Sequence, residues 1–344
     1  MTFIGRLKDQ LFLEMAVIVA MGAFWFFLTQ PASAQQTFKY KYFAFTAIGN
    51  PMTKLLLDFS KEAKELTKNQ LDIRVYPQGE LPYQPSDAVD ISSKGLVDLA
   101  NAEISYVAGE VPIAPLISLP LLVTSKEEAL KAGKVFMPRL DKAIQEKYNA
   151  KLLWWYTWPN RKIIGKGDVP KSLADLKGKK IRFPGPIGSE FLSRLGMVPV
   201  NINPGDVQIA IQRGTLDGTS GAYVFLESSK WHEFCNWGYE IECGAVYNLS
   251  LMNKTSYDKL TPEIKKVLNE LGDKYRIKST DFGYTAEDKS KENFQKAGLK
   301  FVKPSDKDLE LAREKILPFW NEWTNGKGPV AVDALKEIRQ TIGR

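Results

Sequence analysis

The chain has 344 residues, 44% of them hydrophobic and 25% charged, with a formal charge of +7, two cysteines and one histidine. That length exceeds what a single core usually supports and suggests two domains. The 47 basic residues are mixed with 40 acids, and no basic block alternates with aromatics, so no nucleic-acid surface is expected.

The N-terminus has the layout of an export signal. Arg6 and Lys8 precede the apolar run Ala16–Leu28, and a small-x-small site follows at Ala32 and Ala34. The apolar run is shorter than the roughly 18–20 residues of a membrane span, and no later segment approaches that length. The expectation is cleavage after Ala34 and a mature protein, 35–344, that is periplasmic and does not span a membrane. Export would permit a disulfide between Cys235 and Cys243; two small buried thiols are an equal alternative, because geometry decides.

The mature chain opens on the alternating strand FKYKYFAFTA. A Gly49-Asn50-Pro51 turn leads into a helix with Leu55, Leu56, Phe59, Ala63 and Leu66 at helical spacing. QLDIRVYP predicts a strand ending at Pro77. SDAVDISSKGLVDLANAE predicts a helix, a stop at Gly95 and a further strand, giving the alternation of an α/β domain. AKLLWWYTW is apolar at every phase and predicts a strand buried on both faces. The second half repeats the grammar. KGKKIRFP is a strand, SEFLSRLG a helix stopped by Gly196, and VPVNI a strand. Asn203 and Pro204, with Asp206 following, resemble a capping-box start for the helix VQIAIQR, which Gly214 ends. Thr261-Pro262-Glu263 starts a long helix, and two amphipathic helices finish the chain. The echoes of IRVYP in IRFP, and of KGLVD in RGTLD, point to two similar α/β lobes.

Catalytic machinery is not evident. His232 stands alone in KWHEF, where a packing role outweighs a catalytic one. There is no His-Glu-x-x-His, no Gly-x-Ser-x-Gly, no Walker A and no Gly-x-Gly-x-x-Gly after a strand. No catalytic residue, metal or cofactor is expected.

Binding chemistry has more support. Arg182 lies between Ile181 and Phe183 in a short apolar strand. A guanidinium stays charged in a protein, so an inward-pointing one requires an anion. Arg161 directly follows the tryptophan-rich strand. Two such groups in one cleft would grip a carboxylate through charge-assisted, often bidentate bonds. From the residues alone, each could equally pair with a local Asp or Glu, and Arg74 is as good a candidate as Arg182.

The order LWWYTWPNRKII, SLADLKGKKIRFPG, FLSRLGMVPVNINPGDVQIAIQRGTLDG resembles the periplasmic solute-binding proteins of TRAP (tripartite ATP-independent periplasmic) transporters, the DctP type. The similarity extends upstream through IRVYPQGELPY, SKGLVDLANAEISYVAGEVP and LISLPLL. It implies an α/β, two-lobed periplasmic-binding-protein-like fold with hinge strands and a long lobe-spanning helix. The implied lobes are 35–158 plus about 247–286, and 159–246 plus about 287–344. It also implies delivery of an organic-acid solute to a TRAP permease by closure of the lobes.

The resemblance separates the arginines: Arg182 matches the family arginine that grips the substrate carboxylate, Arg161 a second arginine near the ligand, and Arg74 neither. It adds Asn50 in the cleft-lining turn with Ile48 and Gly49, Glu103 as either a site carboxylate or a structural salt-bridge partner of an arginine, and Asn203 and Pro204. After Asp217-Gly218 many members have a polar run containing Asn-Pro; here it is Thr219-Ser220-Gly221-Ala222-Tyr223, which removes an amide and leaves space. Trp158, Phe183, Gly221 and Tyr223 complete the expected lining, with Trp154 and Trp155 alongside, and favour a monocarboxylate with an apolar or aromatic body. The rival readings are a receptor for another transporter class or a sensor, and a periplasmic enzyme acting on a carboxylate.

Overall fold

The computed structural model describes residues 36–344; the expected export signal lies outside the described residues. In chain order, the first part comprises β1 (Phe38–Phe43), α1 (Pro51–Leu66), β2 (Leu71–Tyr76), α2 (Ala88–Ser93), β3 (Leu99–Glu103), α3 (Lys126–Lys147) and β4 (Ala150–Trp158). The middle part is β5 (Lys162–Gly165), β6 (Lys180–Arg182), α4 (Gly185–Arg194), β7 (Val198–Val200), α5 (Val207–Gln212), β8 (Gly218–Gly221), α6 (Tyr223–Ser228) and β9 (Trp237–Tyr239). The chain ends with β10 (Val246–Asn253), α7 (Lys254–Asp258), α8 (Pro262–Lys296), β11 (Lys300–Val302), α9 (Asp306–Asn325) and α10 (Pro329–Thr341).

These strands form two sheets. The first has the order β2-β1-β3-β10-β4 and the second β11-β9-β5-β8-β6-β7. The expected mixed α/β class with two sheets is the observed one. Short apolar alternation produces the strands: β2 buries Leu71, Ile73 and Val75 and turns Arg74 outward, its guanidinium over the Tyr76 ring at 4.7 Å. Arg74 therefore faces away from the rest of the first sheet's buried face. In α1 the apolar stripe Leu55, Leu56, Phe59 and Ala63 is buried as its spacing predicts, while Leu66, at the helix end, is exposed.

β4 is covered on both faces, as its sequence requires. Trp154, Tyr156 and Trp158 form a row of rings at i, i+2 spacing. α8 closes over this row: Tyr275 meets Trp154 edge-on, and the Trp158 indole N–H donates to the Ser279 carbonyl at 2.9 Å. Trp155 packs on Tyr247 and slides under Gly133 of α3, where a Cβ would lie 2.2 Å from the ring. α8 packs on α1 and β4 and also on α6, so one 35-residue helix spans elements of both sheets. α9 joins α4 through Arg194 and Glu322 at 2.5 Å, and α10 joins α3 through Arg139 and Glu337.

The chain passes between the sheets along a two-stranded ribbon. β4 and β10 pair antiparallel up to Trp158 opposite Val246, and β5 and β9 pair antiparallel from Ile163 opposite Tyr239. Between them the Arg161 N–H donates to the Gly244 carbonyl at 3.1 Å, and the Cys243 N–H donates to the Arg161 carbonyl at 2.8 Å. Gly244 has φ +111°, and a Cβ there would strike the Ser118 carbonyl oxygen at 2.4 Å.

The structure does not join Cys235 and Cys243: both are free and buried. Cys235 sits in an apolar cluster with Trp231, Leu226 and Phe294, whereas Cys243 lies in the ribbon with its Sγ on the Ile241 carbonyl. Burial pushes the Cys235 thiol up to about 12 and the Cys243 thiol higher still. His232 stacks flat on Phe294, with 4.5 Å between ring centroids, and so has the packing role its isolation suggested.

Candidate functional site

The residues with binding chemistry meet where the two sheets face each other. β6 ends in Arg182, and the next strand over, β8, ends in Ser220 and Gly221. β3 brings Glu103 from the first sheet, and the ribbon brings Arg161. Together with Phe45, Met52, Tyr106, Trp158, Pro184, Ala222, Phe225 and Val246 they line one cavity.

Arg182 is 2% exposed. Its Nε donates to the Ile202 carbonyl at 3.2 Å and its Nη2 to the Tyr106 hydroxyl at 2.9 Å. The guanidinium carbon lies 5.5 Å from the Trp231 ring centroid, a cation–π contact. Among the described residues, no carboxylate lies within 4.0 Å of it. A guanidinium has five N–H groups; these two bonds use two of them, and Arg182 lines the cavity. A buried charge with no counterion costs several kcal/mol, and an anion beside it would offset that cost.

Arg161 has the partner that Arg182 lacks. Its Nη2 is 2.6 Å from Glu103 Oε2, and both side chains are 5% exposed. Glu103 Oε1 accepts from the Ser105 N–H at 3.0 Å, which fixes the carboxylate. Phe183 lies beneath the Arg161 guanidinium at 5.5 Å and packs so closely on α4 that a Cβ at Gly188 would sit 1.7 Å from its ring. The Ser220 hydroxyl is buried on the cavity wall with no hydrogen-bond partner among the described residues.

Of the residues expected from sequence, Arg182, Arg161, Glu103, Trp158 and Gly221 line this one cavity. Phe183 stands behind Arg161. Asn50 lies elsewhere: it caps α1 by accepting from the Met52 N–H at 2.9 Å, and its amide donates to Ser228 at the end of α6 at 3.0 Å. It lines an outer chamber with Gly49, Gln78, Pro204, Gln208 and Lys230, and Phe45 and Phe225 form the partition shared with the inner cavity.

Asn203 is exposed and lines neither space, and its side chain makes no capping bond; a short 3₁₀ turn, Pro204–Asp206, precedes α5 instead. Tyr223 points away, with its hydroxyl on Glu240 at 3.2 Å and its ring edge-on to Phe294 and Phe301. The cause is helical phase. Ala222 and Phe225, three apart, share the cavity-facing side of α6, and the intervening Tyr223 is rotated off it. Trp154 and Trp155 are core residues on opposite faces of β4.

Tyr106, Phe45, Met52 and Phe225 had no distinguishing signal in sequence. Tyr106 sits in a 3₁₀ turn after β3, and its contact with Arg182 joins segments 76 positions apart.

A family model described as bacterial extracellular solute-binding protein, family 7 (DctP), matches residues 44–326. A solute-binding protein of Chromohalobacter salexigens is 24% identical over 276 residues, 79% of this chain and 81% of its own length. Among solved structures, DctP6, a Bordetella pertussis extracytoplasmic solute receptor binding pyroglutamic acid, superposes with a TM-score of 0.83 at 21% identity, covering 88% of this chain and all of that one. A TRAP solute-binding protein from an unidentified marine-metagenome microbe, specific for aromatic acid ligands, superposes with a TM-score of 0.81 at 24% identity, covering 90% of this chain and 98% of that one. The two-sheet fold is therefore the fold of these receptors. The chain belongs to the DctP family of bacterial extracellular solute-binding proteins.

Proposed function

We propose that the protein is an exported receptor that holds an organic-acid anion between its two lobes and delivers it to a TRAP membrane permease. Arg182 grips the solute carboxylate. The observation that carries this reading is a fully buried guanidinium on a cavity wall with no carboxylate within 4.0 Å among the described residues. Charge-assisted hydrogen bonds contribute about 1.5–3 kcal/mol each. A bidentate grip thus supplies a large part of the roughly 8 kcal/mol that micromolar affinity requires. The Ser220 hydroxyl adds a polar contact, and Phe45, Met52, Trp158, Phe225 and Val246 cover an apolar remainder.

Closure supports the same reading. Tyr106 to Arg182 and Asn50 to Ser228 join segments that belong with different sheets, and Glu103 to Arg161 joins the first sheet to the ribbon between them. A hinge motion that separates the sheets opens the cavity, and the solute bridges them when they close. Two structural relatives are described as binding organic acids, which fits this solute class. Cleavage after Ala34 would release the receptor into the periplasm.

Native mass spectrometry of the purified mature protein, followed by denaturation and identification of what is released, tests the proposal. A small carboxylate is the expected product. If the protein carries none, and a thermal-shift screen of organic acids produces no stabilisation, the carboxylate reading is wrong.

A further inference from the structure

Three ionisable side chains line the inner cavity: Glu103, Arg161 and Arg182. Glu103 and Arg161 neutralise one another at 2.6 Å, and the Ser105 N–H holds the carboxylate in place. The remaining polar lining groups, Tyr106 and Ser220, are hydroxyls. The cavity therefore presents one uncompensated positive charge, that of Arg182.

From this balance we infer that Glu103 sets the charge of the solute: the cavity selects a monoanion and rejects the dianion of the same shape. The inference rests on the carboxylate reading above and adds to it a charge count. A monocarboxylate leaves the closed cavity neutral. The second carboxylate of a dianion would enter a buried space whose only other guanidinium is already paired, with the fixed carboxylate of Glu103 on the same wall. An unpaired buried charge costs several kcal/mol, and a like charge nearby adds to that. The Glu103–Arg161 pair is itself a neutral dipole. It offers an acceptor and donors to an uncharged hydroxyl, carbonyl or amide on the body of the solute.

The test compares probes that differ in charge and not in shape. Calorimetric titration of the dialysed mature protein would use succinamate against succinate, and 3-carbamoylbenzoate against isophthalate. In any pair that binds, the wild type is expected to favour the monoanion by at least about tenfold, a difference of about 1.4 kcal/mol. Glu103→Gln keeps the shape and the bond from Ser105 but raises the cavity charge by one, so its preference is expected to move toward the dianion. The double variant Glu103→Gln with Arg161→Gln restores the original charge, and the monoanion preference is expected to return.

Equal or tighter binding of the dianions by the wild type overturns the inference while leaving the carboxylate reading intact. So does a folded Glu103→Gln variant with an unchanged preference. If Glu103→Gln does not fold, the wild-type ratio decides alone. If no carboxylate of any kind binds the wild type, the underlying reading falls and this inference with it.

Discussion

The hydroxyl of Tyr106 and the guanidinium of Arg182 meet at 2.9 Å, although Tyr106 follows β3 of one sheet and Arg182 ends β6 of the other. The residue proposed to grip the solute is thus itself held by a segment that follows a strand of the other sheet. Arg182→Ala is expected to lower solute affinity by at least about a hundredfold, the loss of one or two charge-assisted bonds. The thermal midpoint of the solute-free protein should change little, because removing an unpaired buried charge offsets the lost contacts. Calorimetry and thermal unfolding of the same samples check both halves. A variant that unfolds would show that Arg182 is a structural anchor.

Ser228 is the far end of a second contact that joins the two sides of the cavity, and its hydroxyl also donates to the Phe225 carbonyl at 3.0 Å. Ser228→Ala removes the hydrogen bond from Asn50, worth about 0.5–1.5 kcal/mol, while leaving the α1 cap intact. Solute dissociation measured by stopped flow is expected to accelerate by roughly 2–10-fold. Asn50→Ala should do the same and also lower stability by about 1 kcal/mol, because it removes the cap as well. Identical dissociation rates in wild type and Ser228→Ala would exclude a latch.

Gly283 on α8 faces Trp158, where a Cβ would lie 2.3 Å from the indole Cδ1. Alanine normally stabilises a helix interior by about 1 kcal/mol over glycine. Here overpacking should win, destabilising by about 1–3 kcal/mol. Because Trp158 also lines the cavity, solute affinity should fall in parallel. Denaturant unfolding and calorimetry of Gly283→Ala test this; a stabilised variant with unchanged affinity would refute the close packing.

The two thiols are buried and hold their protons far into the alkaline range. At pH 8 iodoacetamide is expected to leave the folded protein unmodified and to add twice after denaturation without reductant. A single mass with no adducts in denaturant would instead reveal a disulfide.

Glu110 has a carboxyl pushed up to about 7, first by burial and then by the Asp90 carboxylate, and its Oε2 has no hydrogen-bond partner among the described residues. A carboxyl raised in the folded state binds more protons folded than unfolded between its two pKa values. Stability from this group is therefore full below about 4.5 and is lost as pH rises to about 7. Allowing for its partial exposure, the loss is about 1–2 kcal/mol. Glu110→Gln should flatten that part of the stability–pH curve and raise the melting temperature at pH 8. A parallel curve would show that Glu110 is not the group responsible.

Much of the architecture was legible because it rests on local rules. Glycines at 95, 196 and 214 end helices in the left-handed region, at φ +68°, +84° and +73°. The all-apolar β4 required cover on both faces and has it. Of the candidate site, charge alone singled out Arg161 and Arg182 no better than Arg74; the family resemblance added Glu103 and set Arg74 aside, and the structure brings Arg182, Arg161 and Glu103 to one cavity. Tyr106, Phe45 and Phe225 were not legible, since a tyrosine or phenylalanine in an α/β chain is ordinary core material until the lobes close. Tyr223 was misplaced for a finer reason. Sequence shows that it begins a helix but not the phase of that helix against the cavity, and one residue of phase turns a lining ring into a core ring. Asn203 has the composition of a cap without the side-chain bond.

The ribbon that runs from one sheet to the other has a mechanical consequence. Because hydrogen bonds tie Arg161 to both Cys243 and Gly244, its strands can flex together but cannot slip past one another. In the proposed hinge motion the lobes would therefore keep their registration, and each closing would return Arg182 to Tyr106 and Asn50 to Ser228 without a translational search. Arg161 lies in the ribbon itself, so the angle between the lobes and the geometry of its pairing with Glu103 are one coordinate. A solute of the wrong charge or length, by distorting that pairing, would hold the two halves at a different angle. The outward shape of the protein would then report which molecule it carries.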